Sequence, residues 1–179
     1  MYKDLVNFIR KTYGVEKDFI PLHEPRFIGN ERKYVLDAID SSFVSSVGKY
    51  VDQFEAMMCD ITGAKYAIAT ATSTAALHLA LSSMRLKRGD KVLMSVNSFV
   101  NLPETVRHFD AEPIFVDINL EDMNLDIEKF EETIIANKSK KLRAAIITFI
   151  GGLAPNLEKI YKNKKKHNIL IIEDCRAAL

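Results

Sequence analysis

Residues 91–117 read KVLMSVNSFVNLPETVRHFDAEPIFVD, and their pattern is the strongest indication of the fold class. Two short apolar runs, Lys91–Ser95 and Pro113–Asp117, flank a helical pattern at Val100–Phe109. A strand, a helix and a second strand in this order form a βαβ unit, whose two strands are parallel. The same alternation continues on both sides, with strand candidates at Tyr66–Thr70, Arg143–Ile150 and Ile169–Glu173 and helix candidates at Ser73–Leu86, Asp126–Asn137 and Pro155–His167. We therefore predict an α/β fold with a mostly parallel sheet and helices on both faces.

The region before this alternation carries only helical patterns, at Tyr2–Lys11, Glu31–Ser41 and Tyr50–Ile61. Pro21 and Pro25 favour an extended connector, because the residue before a proline avoids the α region. We divide the chain into an N-terminal helical segment and connector, residues 1–47, and a partial α/β domain, residues 48–179. No helix follows the last predicted strand to cover it, so we expect an incomplete fold and a sequence that is either part of a longer protein or a truncated one.

The composition limits the classes of function. The chain has 179 residues, and a hydrophobic fraction of 47% supports a packed core rather than disorder. Its net charge of +1 gives no global field that would attract nucleic acid. The sequence shows neither an export signal nor an apolar stretch long enough to span a membrane, so we predict a soluble cytoplasmic protein. Cys59 and Cys175 are far apart and the histidines are scattered, so we predict no metal site.

The start of the helix at residue 73 is the first candidate binding site. Ligands of an open parallel sheet bind beyond the carboxyl ends of its strands. Thr72, Ser73 and Thr74 follow the first predicted strand there and lead into an apolar helix. Hydroxyl groups and free backbone N–H groups at a helix start suit a phosphate, whereas simple capping by Thr72 or Ser73 is the alternative. Neither of the glycine-rich nucleotide-binding motifs occurs in the sequence.

Two further candidates follow other strands of the predicted sheet. Asp174 comes directly after the apolar run Ile169–Glu173. A carboxylate there can pair with a cationic ring nitrogen and keep it protonated, or it can cap the next turn. The ring of Phe99 opens the helix after the second strand, where it either lies on a flat cofactor or belongs to the core. Asp117, after the third strand, has only the capping interpretation.

Five separated motifs also carry a resemblance to a known family. In sequence order they are Gly48–Glu55, Thr72–Leu81, Gly89–Val92, Ala111–Asp117 and Ile171–Cys175. Together they resemble the DegT-type nucleotide-sugar aminotransferases, which use pyridoxal 5'-phosphate (PLP), from about Phe19 to Leu179. The resemblance implies the fold type I large domain of the aspartate-aminotransferase kind and a homodimer with active sites at the subunit interface. It also implies amine transfer from glutamate to a keto nucleotide sugar, in bacterial surface polysaccharide or nonulosonic acid biosynthesis.

The resemblance also assigns site residues. By motif position, Ser73 and Thr74 would bind the cofactor phosphate, Phe99 would lie against the pyridine ring, and Asp174 would pair with the pyridine nitrogen as the catalytic residue. The sequence departs from the family at three places. Ser73 replaces a glycine or another small residue, Ala177 replaces a polar residue that often helps to seat the cofactor, and Gly151-Gly152-Leu153 replaces glycine, then histidine or glutamine, then proline.

The family's Schiff-base lysine lies beyond the strand that ends at Asp174, and this chain has no lysine after Lys166. We therefore expect the complete protein to be a PLP-dependent enzyme and the 179-residue chain alone to be inactive. Two alternatives stay open. One is a truncated, non-catalytic remnant or binding module of the same fold, and the other is a dehydratase-like relative in which histidine replaces the lysine.

Overall fold

The computed structural model describes residues 2–139 and 141–178. The chain forms two compact units, Met1–Ala67 and Ile68–Leu179. The helix at Lys49–Thr62 therefore lies in the first unit. The boundary between these two units differs from the functional domain boundary that the sequence predicted between residues 47 and 48, and that boundary stays a prediction.

The first unit contains three helices, at the positions that the sequence predicted to within two residues: α1 (Lys3–Tyr13), α2 (Glu31–Asp40) and α3 (Lys49–Thr62). None of these three helices has a fully buried residue. Contact between α2 and α3 is partly polar, because Tyr50 Oη donates to Asp37 Oδ2 at 2.8 Å and Lys49 Nζ lies 2.5 Å from the same oxygen.

The second unit is a four-stranded parallel sheet with the strand order β2-β1-β3-β4. Its elements are α4 (Ser73–Ser83), β1 (Lys91–Ser95), α5 (Asn101–Arg107), β2 (Glu112–Val116), α6 (Ile127–Ala136), β3 (Leu142–Thr148), a short 3₁₀ turn (Ile150–Gly152), α7 (Leu157–His167) and β4 (Leu170–Asp174). The predicted parallel α/β architecture is confirmed.

Helices cover both faces of this sheet, also as predicted. Side chains alternate along a strand, so Ala145 and Ile147 of β3 pack with Phe130 of α6 and Ile160 of α7 in one cluster. On the other face, residues of β1 and β3 pack against α4 and α5: Leu77, Leu81, Val92, Met94, Leu102, Val106, Ala144 and Ile146. The sheet is therefore buried between two layers, as a parallel sheet requires.

The predicted strand at Tyr66–Thr70 is wrong. This segment lies outside the sheet and forms no strand, and the side chains of Tyr66 and Ile68 are 75% and 69% exposed. Strand propensity mainly reflects packing on a pleated, half-buried surface, so an apolar run that does not join a sheet stays irregular. Among the described residues, no helix is long and apolar enough to cross a membrane.

Candidate functional site

The carboxyl ends of the strands form one edge of the sheet, and the candidate site lies there. The strand order reverses at β1, which has β2 on one side and β3 on the other. Such a reversal opens a crevice in which ligands of doubly wound sheets bind. Phe99 and Asn101 lie just after β1, and Asp174 is the last residue of β4.

The N-terminus of α4 combines a cap with exposed hydroxyl groups. Thr72 is the N-cap, and its Oγ1 accepts a hydrogen bond from the backbone N–H of Ala75 at 3.1 Å. The capping interpretation is therefore confirmed for Thr72. Ser73 and Thr74 in the first turn are exposed, and the first N–H groups of a helix have no acceptor within the helix. Capping at Thr72 thus leaves donors at Ser73 and Thr74 for an anion.

Asn101 connects α4 to the end of the sheet. Its Nδ2 donates to Thr74 Oγ1 at 2.9 Å, and its Oδ1 accepts from Arg176 Nη1 at 3.1 Å. Because Asn101 begins α5, this amide fixes the start of α5 against the start of α4.

Arg176 and Asp174 form a bidentate ion pair. Arg176 Nε lies 2.9 Å from Asp174 Oδ1, and Nη2 lies 2.6 Å from Oδ2. The Asp174 side chain is only 11% exposed, whereas that of Arg176 is 26% exposed. The same guanidinium lies over Phe99, with its central carbon 5.3 Å from the ring centroid. Phe99 is 67% exposed, so it is not a core residue.

The structure thus brings together three of the four predicted site residues, Thr74, Phe99 and Asp174, through contacts of Asn101 and Arg176. Ser73 precedes Thr74 on the same helix start. Their roles toward a cofactor stay predictions. No sequence motif indicated Asn101 or Arg176. The available signal was position, since Asn101 lies two residues after Phe99 and Arg176 two residues after Asp174.

A buried hydroxyl group lies beside Asp174 in the register of the sheet. Thr148, at the end of β3, is the parallel neighbour of Asp174, and the strand alternation puts it on the same face as Ile146, toward α4 and α5. Its Oγ1 is buried and makes no hydrogen bond among the described residues. Buried hydroxyls normally have partners, so this one favours a polar ligand next to Asp174.

These residues provide the groups that PLP requires, with one obstacle. The start of α4 suits the phosphate, the exposed face of Phe99 suits the ring, and the Asp174 carboxylate suits the ring nitrogen. The obstacle is Arg176, whose guanidinium contacts both Phe99 and Asp174.

Other residues at this edge have structural partners. Asp117 lies 2.5 Å from Lys129 Nζ and accepts the backbone N–H of Ile118 at 2.9 Å. The Lys129 hydrogen bond first, and that of Ile118 second, lower the pKa of Asp117 below its ordinary value. The capping interpretation of Asp117 therefore agrees with the structure.

Cys175 follows Asp174 without the character of a nucleophile. Burial raises the pKa of its thiol, and the charges of Glu173 and Asp174 raise it further. Because the thiolate is the reactive form, a raised pKa makes Cys175 a weaker nucleophile than a free cysteine.

Known proteins resemble this chain along most of its length. It is 35% identical over 160 residues to GDP-perosamine synthase from Vibrio cholerae, covering 89% of this chain and 42% of that protein. The structure of an aminotransferase from Psychrobacter cryohalolentis superposes with a TM-score of 0.80 and 28% sequence identity. The match covers 90% of this chain and 40% of the aminotransferase chain. The Escherichia coli GDP-4-keto-6-deoxy-D-mannose-3-dehydratase with bound hydrated PLP matches 87% of this chain and 40% of its own, with TM-score 0.77 and 25% identity.

The chain therefore spans about 40% of the length of these relatives. Relatives with this fold carry PLP, as the dehydratase structure shows. The family model described as the DegT/DnrJ/EryC1/StrS aminotransferase family matches residues 25–179, and the chain belongs to this family.

Proposed function

We propose that this chain forms the cofactor-docking part of a PLP-dependent nucleotide-sugar aminotransferase, which transfers an amine from glutamate to a keto nucleotide sugar. The observation that carries the proposal is the series of contacts from Thr74 at the start of α4 to Asp174 at the end of β4. The likeness to GDP-perosamine synthase supports a nucleotide-sugar substrate. A place in bacterial surface polysaccharide biosynthesis and a cytoplasmic location are further parts of the proposal.

In this proposal the start of α4 holds the phosphate. Ser73 and Thr74 would donate from their hydroxyl and backbone N–H groups, and the positive end of the helix dipole would favour the negative charge. Asn101 positions Thr74, because its Nδ2 already donates to Thr74 Oγ1 and so leaves the Thr74 hydroxyl hydrogen to be directed elsewhere.

Asp174 would hold a proton on the ring nitrogen. When bound, PLP supplies an electron sink for the carbon that loses a proton during amine transfer. A carboxylate fixed at a strand end, with a side chain 11% exposed, interacts more strongly with a cationic ring than a carboxylate in open solvent would. The exposed face of Phe99 would set the plane of the ring.

We further propose that the active protein is a homodimer. The first unit exposes large apolar side chains on and between its helices, each more than half accessible: Phe8, Tyr13, Phe27, Phe43 and Phe54. Exposed apolar side chains of this size favour a surface that a second copy of the chain covers. Sedimentation equilibrium of the complete gene product tests this part of the proposal, and a monomer at all concentrations would contradict it.

A dehydratase is the second candidate. The likeness to the Escherichia coli dehydratase supports it, because that enzyme shares the fold and binds PLP. The two candidates differ in product. With glutamate and GDP-4-keto-6-deoxymannose, an aminotransferase yields an amino sugar and 2-oxoglutarate. A 3-dehydratase that uses glutamate as the reductant yields a 3-deoxy keto sugar, 2-oxoglutarate and free ammonia. Mass spectrometry of the products formed by the complete gene product separates them.

A binding experiment tests the docking site in the 179-residue chain. Pyridoxamine 5'-phosphate is the suitable probe, because it lacks the aldehyde with which PLP reacts with surface lysines. We expect saturable binding in calorimetry, which a Ser73→Ala/Thr74→Val double variant weakens by about tenfold or more as charge-assisted hydrogen bonds are lost.

The matched control lies at the other end of the same helix. Ser83 Oγ donates to the Ala80 carbonyl at 2.7 Å, so Ser83→Ala removes a hydroxyl from α4 without touching its N-terminus. Equal affinities of the wild type and the double variant would contradict the proposed phosphate site.

A further inference from the structure

The proposed function gives Arg176 a role that the sequence did not indicate. Resting on that function, we propose that Arg176 occupies the pyridine site, the space between Phe99 and Asp174. Its guanidinium makes the two contacts that a bound pyridine ring would make, with the Phe99 ring and with the Asp174 carboxylate. A phosphorylated pyridine therefore binds only after the Arg176 side chain moves away. Arg176 is then a residue that sets cofactor affinity, rather than a catalytic one.

The Arg176 guanidinium and a bound pyridine ring would compete first for the Asp174 carboxylate. Two Arg176 nitrogens, Nε and Nη2, donate to the two carboxylate oxygens at 2.9 and 2.6 Å. This fork-to-fork pairing directs strong donors at both oxygens of the carboxylate. A ring N–H needs one of those oxygens along the same approach, so the guanidinium and the ring nitrogen compete for Asp174.

The second contact in competition is with Phe99. The guanidinium is planar and cationic, and it lies 5.3 Å from the centroid of the ring. A pyridinium is also planar and cationic. Arg176 therefore has the shape and charge of the group whose place it takes, between the Phe99 face and the Asp174 carboxylate.

A third contact holds Arg176 in this place. Its Nη1 donates to Asn101 Oδ1, and Asn101 in turn donates to Thr74. The guanidinium thus uses all three of its nitrogens on two partners. It nevertheless has a way out, because its side chain is 26% exposed and lies on the turn that follows β4.

The size of the effect follows from population arithmetic. The apparent affinity of a ligand falls by the fraction of molecules whose site is open. If Arg176 occupies the site about nine-tenths of the time, its removal tightens ring binding by about tenfold. Inorganic phosphate has no ring, so the same change should leave its affinity for the start of α4 unchanged or reduce it through the lost positive charge.

The test is a calorimetric titration of the 179-residue chain with pyridoxamine 5'-phosphate and, separately, with inorganic phosphate. We expect Arg176→Ala to bind pyridoxamine 5'-phosphate about three- to tenfold more tightly than the wild type, with no gain for phosphate. Arg143→Ala is the matched control. It removes a guanidinium near Asp90 at the amino end of β3, the opposite edge of the parallel sheet, and should change neither affinity.

A double-variant cycle sharpens the result. In the wild type, Asp174→Asn weakens pyridoxamine 5'-phosphate binding by removing the partner of the ring nitrogen. The same substitution also releases Arg176 from the pyridine site, which offsets part of this loss of affinity. In an Arg176→Ala background the same change should cost more, because only the ring pairing is lost. Arg176→Gln, which keeps a long polar side chain, serves where Arg176→Ala fails to fold by circular dichroism.

Three outcomes would overturn the proposal. Equal pyridoxamine 5'-phosphate affinity in the wild type and Arg176→Ala would show that Arg176 does not obstruct the ring. Weaker binding of both probes to Arg176→Ala would make Arg176 a phosphate ligand instead. An absence of pyridoxamine 5'-phosphate binding in every variant, the wild type included, would remove the proposed function itself, and that result differs from the other two.

Discussion

Gly152 lies against the backbone of Ala177, so that a methyl group on Gly152 would stand only 2.6 Å from the Ala177 carbonyl oxygen. Gly152 also has a φ of +84°, in the left-handed region. These are two of the positions at which the sequence departs from its family resemblance. The contact explains the glycine at position 152, because a side chain there would displace the turn that carries Arg176. Ala177 takes part through its backbone only, so the contact does not explain its side chain.

Gly152→Ala should destabilise the fold and displace this turn. Both the positive φ and the clash oppose a methyl group, and we expect a loss of about 2–4 kcal/mol in the free energy of unfolding. Urea unfolding followed by circular dichroism measures the change.

Gly151→Ala is the control for this prediction. Gly151 also has a positive φ, of 60°, but an added methyl group there meets nothing within 4 Å. Its loss should be limited to about 1 kcal/mol of backbone strain. Equal losses in the two variants would show that the contact with Ala177 has no energetic role.

Thr72→Ala should lower stability without a change in the shape of the site. The substitution removes the side-chain acceptor for the Ala75 N–H, which is 3.1 Å away, and loss of an N-cap typically costs about 1 kcal/mol. Thr72→Ser keeps the acceptor and should have a melting temperature close to that of the wild type. Thermal unfolding followed by circular dichroism measures both variants. A Thr72→Ala protein as stable as wild type would mean that the cap has no measurable effect.

Phe99 and Phe130 test whether an aromatic residue belongs to the core or to the site. Phe130 of α6 is 0% exposed and packs in one cluster with Ala145 and Ile147 of β3, so Phe130→Ala should cost about 3–5 kcal/mol. Phe99 is 67% exposed, so Phe99→Ala should cost less than about 0.5 kcal/mol while it weakens pyridoxamine 5'-phosphate binding. A large stability loss in Phe99→Ala would favour the core interpretation that the sequence left open.

The sequence predicted the parallel sheet because apolar runs and helical periodicity are local signals. Lys91–Ser95 forms β1 at the predicted boundaries, and the end of β4 differs from the prediction by one residue. Tyr66–Thr70 failed because a strand depends on a neighbour that local pattern does not specify. The edge rule for parallel sheets correctly placed Phe99 and Asp174 at one edge, because each follows a strand that forms. Thr74 lies beside them although the strand predicted before it is absent, because Asn101 binds the start of α4.

The roles of Arg176 and Asn101 could not be predicted from local sequence patterns, because their contacts are long-range. Asn101 reaches Thr74 across 27 positions of sequence and Arg176 reaches Asn101 across 75. Neither residue type carries a periodic or motif signal, and a side-chain hydrogen bond over such a separation depends on tertiary packing. Only the three-dimensional structure shows that the Arg176 guanidinium contacts both Phe99 and Asp174.

Cys175 should be slow to alkylate, with a pH midpoint above that of the unfolded chain. Burial opposes the thiolate most strongly, and the charges of Glu173 and Asp174 add to it, so the pKa is raised in the folded state. Iodoacetamide reacts with the thiolate, so its rate against pH in a Cys59→Ser variant reports this pKa. The same variant in concentrated urea gives the unfolded midpoint, expected near about 8.5.

The sign of the stability change follows from the same shift. Between the unfolded and the folded midpoints the native state keeps a proton that the unfolded chain has lost, so stability decreases as the pH rises through this window. Glu173→Gln removes one of the charges and should lower the folded midpoint toward the unfolded one. A folded midpoint at or below the urea value would contradict the buried, unreactive role of Cys175 and would reopen it as a nucleophile beside Asp174.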